Sequence, residues 1–177
     1  MRKLKKGYIQ IYTGNGKGKT TAAIGQVVRA AGFGLKSYLA CFMKEFPYSE
    51  FESLKKFEGL IKVESFGKDD FVYRREYPKD EELQAIRLGL DKSKDAMIKE
   101  KYDLIVLDEI CVCHYFKIFS VDEIIDFIKL KPENTELILT GRYCPQELFE
   151  YADLITEMKE IKHYYSQGVN ARRGIES

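Results

Sequence analysis

A glycine-rich segment between an apolar run and a helical pattern limits the folds open to this chain more than any other part of its sequence. The segment reads TGNGKGKT over residues 13–20, after the apolar run at 8–12 and before a helix predicted over 19–33. Glycines tolerate positive φ and let backbone N–H groups approach phosphate oxygens, while the amino end of the helix favours an anion. The sequence therefore predicts a phosphate-binding loop for a nucleoside triphosphate.

The loop resembles the pattern G-x-x-x-x-G-K-[ST], with Thr13 in the first position and the glycine one residue later at Gly14. Lys19 is expected to be an exposed loop lysine that neutralises phosphate charge, and the Thr20 hydroxyl to ligate Mg²⁺ or Mn²⁺. Lys17 is either a second cation or a solvated side chain. The residues assigned to the nucleotide are Thr13, Gly14, Asn15, Gly16, Lys17, Gly18, Lys19, Thr20 and Thr21.

A second acidic motif follows a continuous apolar run at residues 104–107. Asp108 and Glu109 come directly after this run, which is typical of a strand covered on both faces. Acids at such a strand end are the expected partners of the metal, directly or through its waters. The sequence does not decide which acid is the direct ligand, and Glu109 could instead polarise a water molecule.

Short apolar runs alternate with helical patterns along the chain. Strands are predicted at residues 8–12, 38–43, 61–66, 104–107, 136–140 and 154–158, and helices at 19–33, 49–57, 80–99, 120–129 and 145–151. This alternation predicts an α/β fold with a mostly parallel sheet and helices on both faces. With the phosphate loop, it indicates a RecA-like P-loop nucleoside triphosphatase fold, in one domain over residues 1–177.

Composition narrows the partners and the location. The 29 basic and 28 acidic side chains give a net charge of +1, which is not typical of a dedicated nucleic-acid binder. We expect no signal peptide and no membrane span, because no apolar run is long enough, so the cytoplasm is the expected location. The Cys111, Cys113 and His114 spacing does not match a zinc ribbon, and reduced, mostly buried thiols are expected.

A phosphate loop and an acidic strand end define the nucleotide but not the reaction, so a kinase, an ATPase, a switch protein and a transferase all stay open. Three further stretches narrow the choice: TTAA after Lys19 with Arg29 along the same helix, LTGR ending at Arg142, and the tail from His163 to Glu176. Together they resemble the ATP:corrinoid adenosyltransferases of the phosphate-loop type, over residues 7–176.

The resemblance implies a reaction in which cobalt in the Co(I) state of a corrinoid attacks C5′ of ATP and triphosphate leaves. Arg29 and Arg142 would then serve ATP, although a solvated helix face is an equal alternative for Arg29 and a surface turn is an alternative for Arg142. Lys19 and Glu109 are the candidate catalytic residues outside the aromatic pair. Aromatics after the third strand would displace the axial cobalt ligand; here Phe71 and Tyr73 occupy that region, although the family pattern often has Trp at the second position.

Phe66 is an alternative candidate for the wedge, and ordinary core aromatics are an equal alternative for all three. His163 matches the family tail, but a structural role is expected for it and for His114. The resemblance also implies a homodimer and a flavoprotein reductant. A small-nucleoside kinase and a regulatory P-loop ATPase are the alternative functions.

Overall fold

A six-stranded sheet forms the centre of the protein in a computed structural model that describes residues 3–45, 48–68 and 77–176. Its strands are β1 (Ile9–Thr13), β2 (Ser37–Phe42), β3 (Ile61–Phe66), β4 (Leu104–Asp108), β5 (Glu136–Thr140) and β6 (Leu154–Glu157). Their order is β3-β2-β4-β5-β1-β6, and every neighbouring pair is parallel. The predicted parallel sheet is therefore confirmed.

The register brings the carboxyl ends of the central strands together. Leu107 of β4 pairs with Ala40 of β2 on one side and with Leu139 of β5 on the other. Tyr12 of β1 pairs with Thr140 of β5. Because ligands of open parallel sheets bind outside the carboxyl ends of the strands, the segments that follow β1, β2, β4 and β5 are the first place to look for a site.

Helices cover both faces of the sheet, as the sequence predicted. They are α1 (Lys19–Phe33), α2 (Ser49–Leu54), α3 (Asp80–Ile98), α4 (Ile110–Tyr115) and α5 (Val121–Lys129). Leu39 and Cys41 of β2 pack in the core beneath α1 and α2. Tyr38 and Phe42 of the same strand point into the opposite core, which α3, α4 and α5 cover. This alternation follows from the two-residue period of a strand buried on both sides.

The predicted capping box at the start of α5 is present. The Ser120 side chain accepts a hydrogen bond from the Glu123 amide, and the Glu123 carboxylate accepts one from the Ser120 amide at 2.8 Å. Two backbone donors that the first helical turn cannot pair internally are satisfied in this way.

Several segments differ in type or extent from the sequence prediction. The helix expected at 145–151 is a 3-10 helix, Gln146–Tyr151, and the one expected at 49–57 ends at Leu54 and continues as a 3-10 turn, Lys55–Phe57. Short 3-10 turns are common as connectors, and sequence periodicity does not separate them from α-helix. Helix α4 was not predicted, because six residues are too few for a helical pattern to be recognised.

Strand β6 lies at one edge of the sheet and pairs only with β1 among the described strands. It ends at Glu157, one residue earlier than predicted, and all four of its residues are exposed. None of the helices within the described ranges has the length and apolar character needed to cross a membrane.

Candidate nucleotide-binding site

The phosphate loop joins β1 to α1 in a conformation that requires glycine. Gly14 and Gly18 have φ values of 95° and 119°, which side chains other than glycine rarely adopt. A Cβ atom on Gly14 would lie 2.5 Å from the Met158 carbonyl oxygen, and the Gly16 amide donates to that same oxygen at 2.6 Å. The segment after β6 thus packs directly against the loop, so both the turns and this close approach explain the glycines.

Lys19 stands at the first position of α1, and its side chain folds back over the loop. Its ammonium donates to the carbonyl oxygens of Gly14 and Gly16, each at 2.8 Å. Lys19 is only 6% exposed, so the expectation of an exposed loop lysine is wrong. Burial lowers its pKa, but the nearby Glu109 and Asp108 carboxylates oppose that shift. The loop therefore carries a buried cation already fixed at its centre.

Asp108, the last residue of β4, is fully buried and gathers three donors. The Thr20 hydroxyl lies 2.9 Å from one carboxylate oxygen, and the Thr140 hydroxyl at the end of β5 donates to the same oxygen at 2.6 Å. The Lys44 ammonium lies 2.5 Å from the other oxygen. The structure thus brings together two of the residues that the sequence assigned to the metal, and their role as ligands stays a prediction.

Glu109 follows Asp108 in the left-handed region, with φ of 66°, and α4 begins at the next residue. Its amide donates to the Thr140 hydroxyl at 3.0 Å. Burial and the Asp108 carboxylate raise the pKa of Glu109, although Lys44, Lys19 and Arg142 oppose the shift. Glu109 is thus a carboxyl group at the wall of the site whose proton affinity depends on the cations around it.

The oxygen ligands at the start of α1 and at the end of β4 fit a magnesium ion. The Thr20 hydroxyl and the Asp108 carboxylate are hard oxygen ligands within 2.9 Å of each other, and the Glu109 carboxyl group lines the same cavity. Mg²⁺ is held through one or two carboxylates plus substrate phosphates, so a set with two acids and one hydroxyl is sufficient. The residues present therefore suit the metal that the sequence predicted.

A cavity of about 660 Å³ opens above the loop. Its walls include Lys19, Thr20, Thr21, Lys44 and Glu109 together with Arg142, His163 and the 174–176 segment. Arg142 is placed here by the end of β5, as predicted. Tyr48 and Glu50 at the start of α2 complete one wall. This volume lies within the usual range of ligand pockets in proteins.

Arg29 is not among the residues that line this cavity. It is exposed on α1, and its guanidinium donates to the Gln26 side chain at 3.3 Å. Its assignment to ATP stays a prediction. Phe71 and Tyr73 fall outside the described residues. Phe66, the alternative candidate for the wedge, is 6% exposed. The centre of its ring lies 6.0 Å from the centre of the Phe42 ring, which is typical of packed core aromatics.

The carboxyl-terminal tail returns to the loop. The Lys17 ammonium donates to the Ile175 carbonyl oxygen at 3.0 Å. Glu176 accepts hydrogen bonds from the Tyr164 hydroxyl and from the Arg172 side chain. His163 lines the cavity, and its Nδ1 accepts from the Tyr165 amide at 3.1 Å. The His163 ring is thus held structurally, while the tail forms one side of the nucleotide cavity.

The cysteines are free thiols, with Cys41, Cys111 and Cys113 buried. In the part of the chain that the structure describes, no three His, Cys, Asp or Glu side chains are grouped to hold a metal. Burial of Cys111 and Cys113 agrees with the expectation of reduced, mostly buried thiols. The candidate magnesium site does not need such a group, because one of its ligands is a hydroxyl. His114 Nδ1 lies 3.1 Å from the Phe119 carbonyl oxygen.

Lys44 and Thr140 are the two site residues whose contacts with Asp108 the sequence did not predict. Each stands at or just after the carboxyl end of a strand next to β4. Burial lowers the pKa of Lys44, but the Asp108 carboxylate outweighs it and holds that pKa above its usual range. A lysine two residues after the buried strand β2 was the available signal, comparable with the acids at the end of β4.

Comparison with known proteins points to one family. Residues 5–177 match the family model described as ATP:corrinoid adenosyltransferase BtuR/CobO/CobP. The corrinoid adenosyltransferase of Escherichia coli strain K12 is 31% identical over 97% of this chain and 86% of its own length. Those of Sinorhizobium sp and Salmonella typhimurium are 31% and 30% identical, each over 97% of this chain and over 81% and 86% of their own lengths.

A solved structure supports the fold assignment. The KaiC-like protein PH0186 of Pyrococcus horikoshii superposes with a TM-score of 0.54 over 90% of this chain and 76% of its own length, at 18% identity. Similarity at this level of identity concerns the fold alone. The RecA-like P-loop fold predicted from the sequence is thereby confirmed.

Proposed function

We propose that this chain, which belongs to the ATP:corrinoid adenosyltransferase family, transfers the 5′-deoxyadenosyl group of ATP to the cobalt of a reduced corrinoid. In this reaction the Co(I) centre supplies an electron pair to C5′ of the ribose. A cobalt–carbon bond forms, the bond from C5′ to the triphosphate oxygen breaks, and inorganic triphosphate leaves with the electron pair of that bond.

The observation that carries the proposal is the arrangement of cations around one cavity. Lys19 is buried at the centre of the loop, and Lys44 and Arg142 line the walls. Fixed donors aimed at developing charge are the usual source of rate enhancement in such reactions. Here the charge develops on a leaving triphosphate rather than on a transferring phosphoryl group.

Each part of the site has a role under this proposal. The loop amides and Lys19 bind the triphosphate, and Arg142 clamps phosphate oxygens at the open side. Thr20 and Asp108 hold Mg²⁺, with Glu109 beside them, and the ion supplies charge neutralisation to the phosphates. The tail from His163 to Glu176 forms one side of the cavity and limits the access of water to the nucleotide.

The direct test is anaerobic incubation of the protein with ATP, Mg²⁺ and a chemically reduced Co(I) corrinoid. Formation of the cobalt–carbon bond changes the corrinoid absorbance, and chromatography identifies the adenosylated product. The matched control is a Thr20→Val variant, which keeps a β-branched side chain but removes the hydroxyl. Adenosylation by the wild type and its loss in Thr20→Val are expected; an unchanged corrinoid with the wild-type protein overturns the proposal.

The aromatic wedge is part of the same proposal and rests on the family resemblance. Phe71→Ala is expected to slow the reaction that starts from Co(II) with a reductase more than the reaction that starts from Co(I). Equal losses in both reactions, with a lower melting temperature, would mean that Phe71 is ordinary core.

The family resemblance also supports a homodimer, a flavoprotein reductant and a cytoplasmic location. Light scattering of the purified protein tests the first, and reconstitution from Co(II) with a reduced flavoprotein tests the second. A monomer at assay concentration would contradict the homodimer. No turnover with any reduced flavoprotein would contradict the flavoprotein reductant.

A further inference from the structure

Lys44 contacts the same two groups that are assigned to the metal. Its ammonium lies 2.5 Å from one carboxylate oxygen of Asp108 and 3.2 Å from the hydroxyl oxygen of Thr20. Its side chain is 12% exposed, and that of Asp108 is fully buried. A buried ammonium at this distance from a carboxylate oxygen forms a strong, charge-assisted hydrogen bond.

The fold places Lys44 there by strand register. Cys41 of β2 pairs with Asp108 of β4, so the chain that leaves β2 passes beside the carboxylate. Met43 lies between the end of β2 and Lys44 in the chain. It is buried, adopts a φ of 55°, and its amide donates to the Phe66 carbonyl oxygen at 2.8 Å. A non-glycine residue held in the left-handed region by its surroundings is a feature of functional sites. This turn directs Lys44 into the cavity.

The ammonium and a divalent cation compete for the same oxygens. Mg²⁺ binds its oxygen ligands at about 2.0–2.1 Å and accepts only near-octahedral geometry. A lysine ammonium bonded to both Asp108 and Thr20 stands within a few ångströms of that position, where like charges repel strongly. Either the ammonium or the metal can therefore hold this pair of ligands, but not both in the present contacts.

A second group in the same wall already borders the Lys44 ammonium. The Lys44 nitrogen lies 5.4 Å from the centre of the Tyr48 ring, which also lines the cavity. An aromatic face at this distance attracts a cation. Tyr48 therefore helps to keep the Lys44 charge at the wall of the cavity.

We propose that Lys44 is a positioning residue that neutralises the Asp108 carboxylate and donates to the Thr20 hydroxyl until a metal–nucleotide complex displaces it onto the triphosphate. The metal then binds together with the nucleotide and only weakly alone, because displacing Lys44 is favourable when phosphate oxygens receive it. This inference rests on the proposed metal and nucleotide site and does not depend on the corrinoid reaction.

The experiment measures Mn²⁺ binding without nucleotide, by electron paramagnetic resonance of the free ion, in the wild type and in Lys44→Met. The matched control is Lys55→Met, which removes an exposed lysine paired with Glu52 on the surface. Removing the competing charge is expected to tighten Mn²⁺ binding at least about tenfold in Lys44→Met and to leave the Lys55→Met value equal to wild type. Lys44→Arg keeps the charge and is expected to bind Mn²⁺ as weakly as the wild type.

A second readout separates this role from simple packing. Millimolar Mg²⁺ without nucleotide is expected to raise the melting temperature of Lys44→Met by replacing the missing charge beside Asp108, and to leave the wild type unchanged. If Lys44→Met does not fold, Lys44→Gln serves for both measurements. Inorganic triphosphate with Mg²⁺ is expected to bind more weakly to the variant than to the wild type.

Equal Mn²⁺ affinity and equal response to Mg²⁺ in the wild type and the variant would overturn the inference. A variant that gains Mn²⁺ binding while the wild type fails to adenosylate a corrinoid would leave this inference standing and remove the proposed function. The two conclusions are therefore tested separately.

Discussion

Replacing Asp108 by asparagine is the sharpest test of how the buried end of β4 is stabilised. The carboxylate accepts hydrogen bonds from Thr20 and Thr140 on one oxygen and from Lys44 on the other. An asparagine side chain has only one oxygen, and its amide nitrogen donates. At least one of the three donors must therefore face another donor.

The magnitude follows from which contact is lost. If the amide oxygen stays with Thr20 and Thr140, the amide nitrogen faces the Lys44 ammonium, which lies 2.5 Å from the replaced oxygen. Removing one partner of a buried ion pair costs about 3–5 kcal/mol. Because Lys44 lines the cavity and can turn towards water, we expect a loss at the lower end, about 3 kcal/mol.

Urea unfolding followed by circular dichroism measures this loss. With a slope typical of small proteins, the midpoint should fall by about 1–2 M in Asp108→Asn. The control is Asp126→Asn, since Asp126 is 75% exposed and its ion pair with Lys129 is a surface one; its stability should change by less than about 0.5 kcal/mol. A loss below about 1 kcal/mol in Asp108→Asn would refute the reasoning, because the buried pair would then matter no more than a surface pair.

Three further predictions follow from the same structure. Gly89→Ala puts a Cβ within 2.6 Å of a core aromatic ring and should lower the free energy of urea unfolding by about 1–3 kcal/mol. The Cβ of Gly25→Ala meets nothing within 4 Å, so this variant should stabilise the protein by about 0.5–1 kcal/mol. Equal effects of the two variants would contradict the packing. Lys19→Ala should slow turnover about 100-fold, and a near wild-type rate with normal ATP affinity would rule out its phosphate role. Because the pKa of Glu109 is raised, this side chain stays protonated to a higher pH than an ordinary glutamate. Mg²⁺–ATP affinity, measured by calorimetry, should therefore begin to fall on acidification at a higher pH than it would with an ordinary glutamate. Glu109→Gln should remove that fall. An identical pH profile in Glu109→Gln would assign the titration to another group.

The parts of the site that sequence reasoning found are those with a local signal. The phosphate loop lies within eight consecutive residues between a strand and a helix, and Asp108 follows a continuous apolar run. A parallel sheet then brings these strand ends together without further information. Thr20 meeting Asp108 at 2.9 Å, across 88 positions of sequence, followed from that rule.

The parts that sequence reasoning missed depend on register and on long-range contacts. Lys44 reaches Asp108 because Cys41 pairs with that residue, and nothing near Lys44 in the sequence reveals which strand lies beside β2. The Lys17–Ile175 bond spans 158 positions and joins the loop to a tail without regular pattern. Sequence reasoning also missed the burial of Lys19, because a lysine in a glycine-rich loop is expected to be exposed. Its ammonium is buried because it donates to two carbonyl oxygens of the folded loop.

The fate of the triphosphate tests the central claim most directly. The protein is incubated anaerobically with ATP, Mg²⁺ and a Co(I) corrinoid, and the phosphate products are separated by ion-exchange chromatography beside the adenosylated corrinoid. Attack at C5′ predicts one intact triphosphate for each adenosylated product. ADP or orthophosphate as the stoichiometric product would contradict the account, because cleavage would then have occurred within the phosphate chain, as in a kinase or an ATPase.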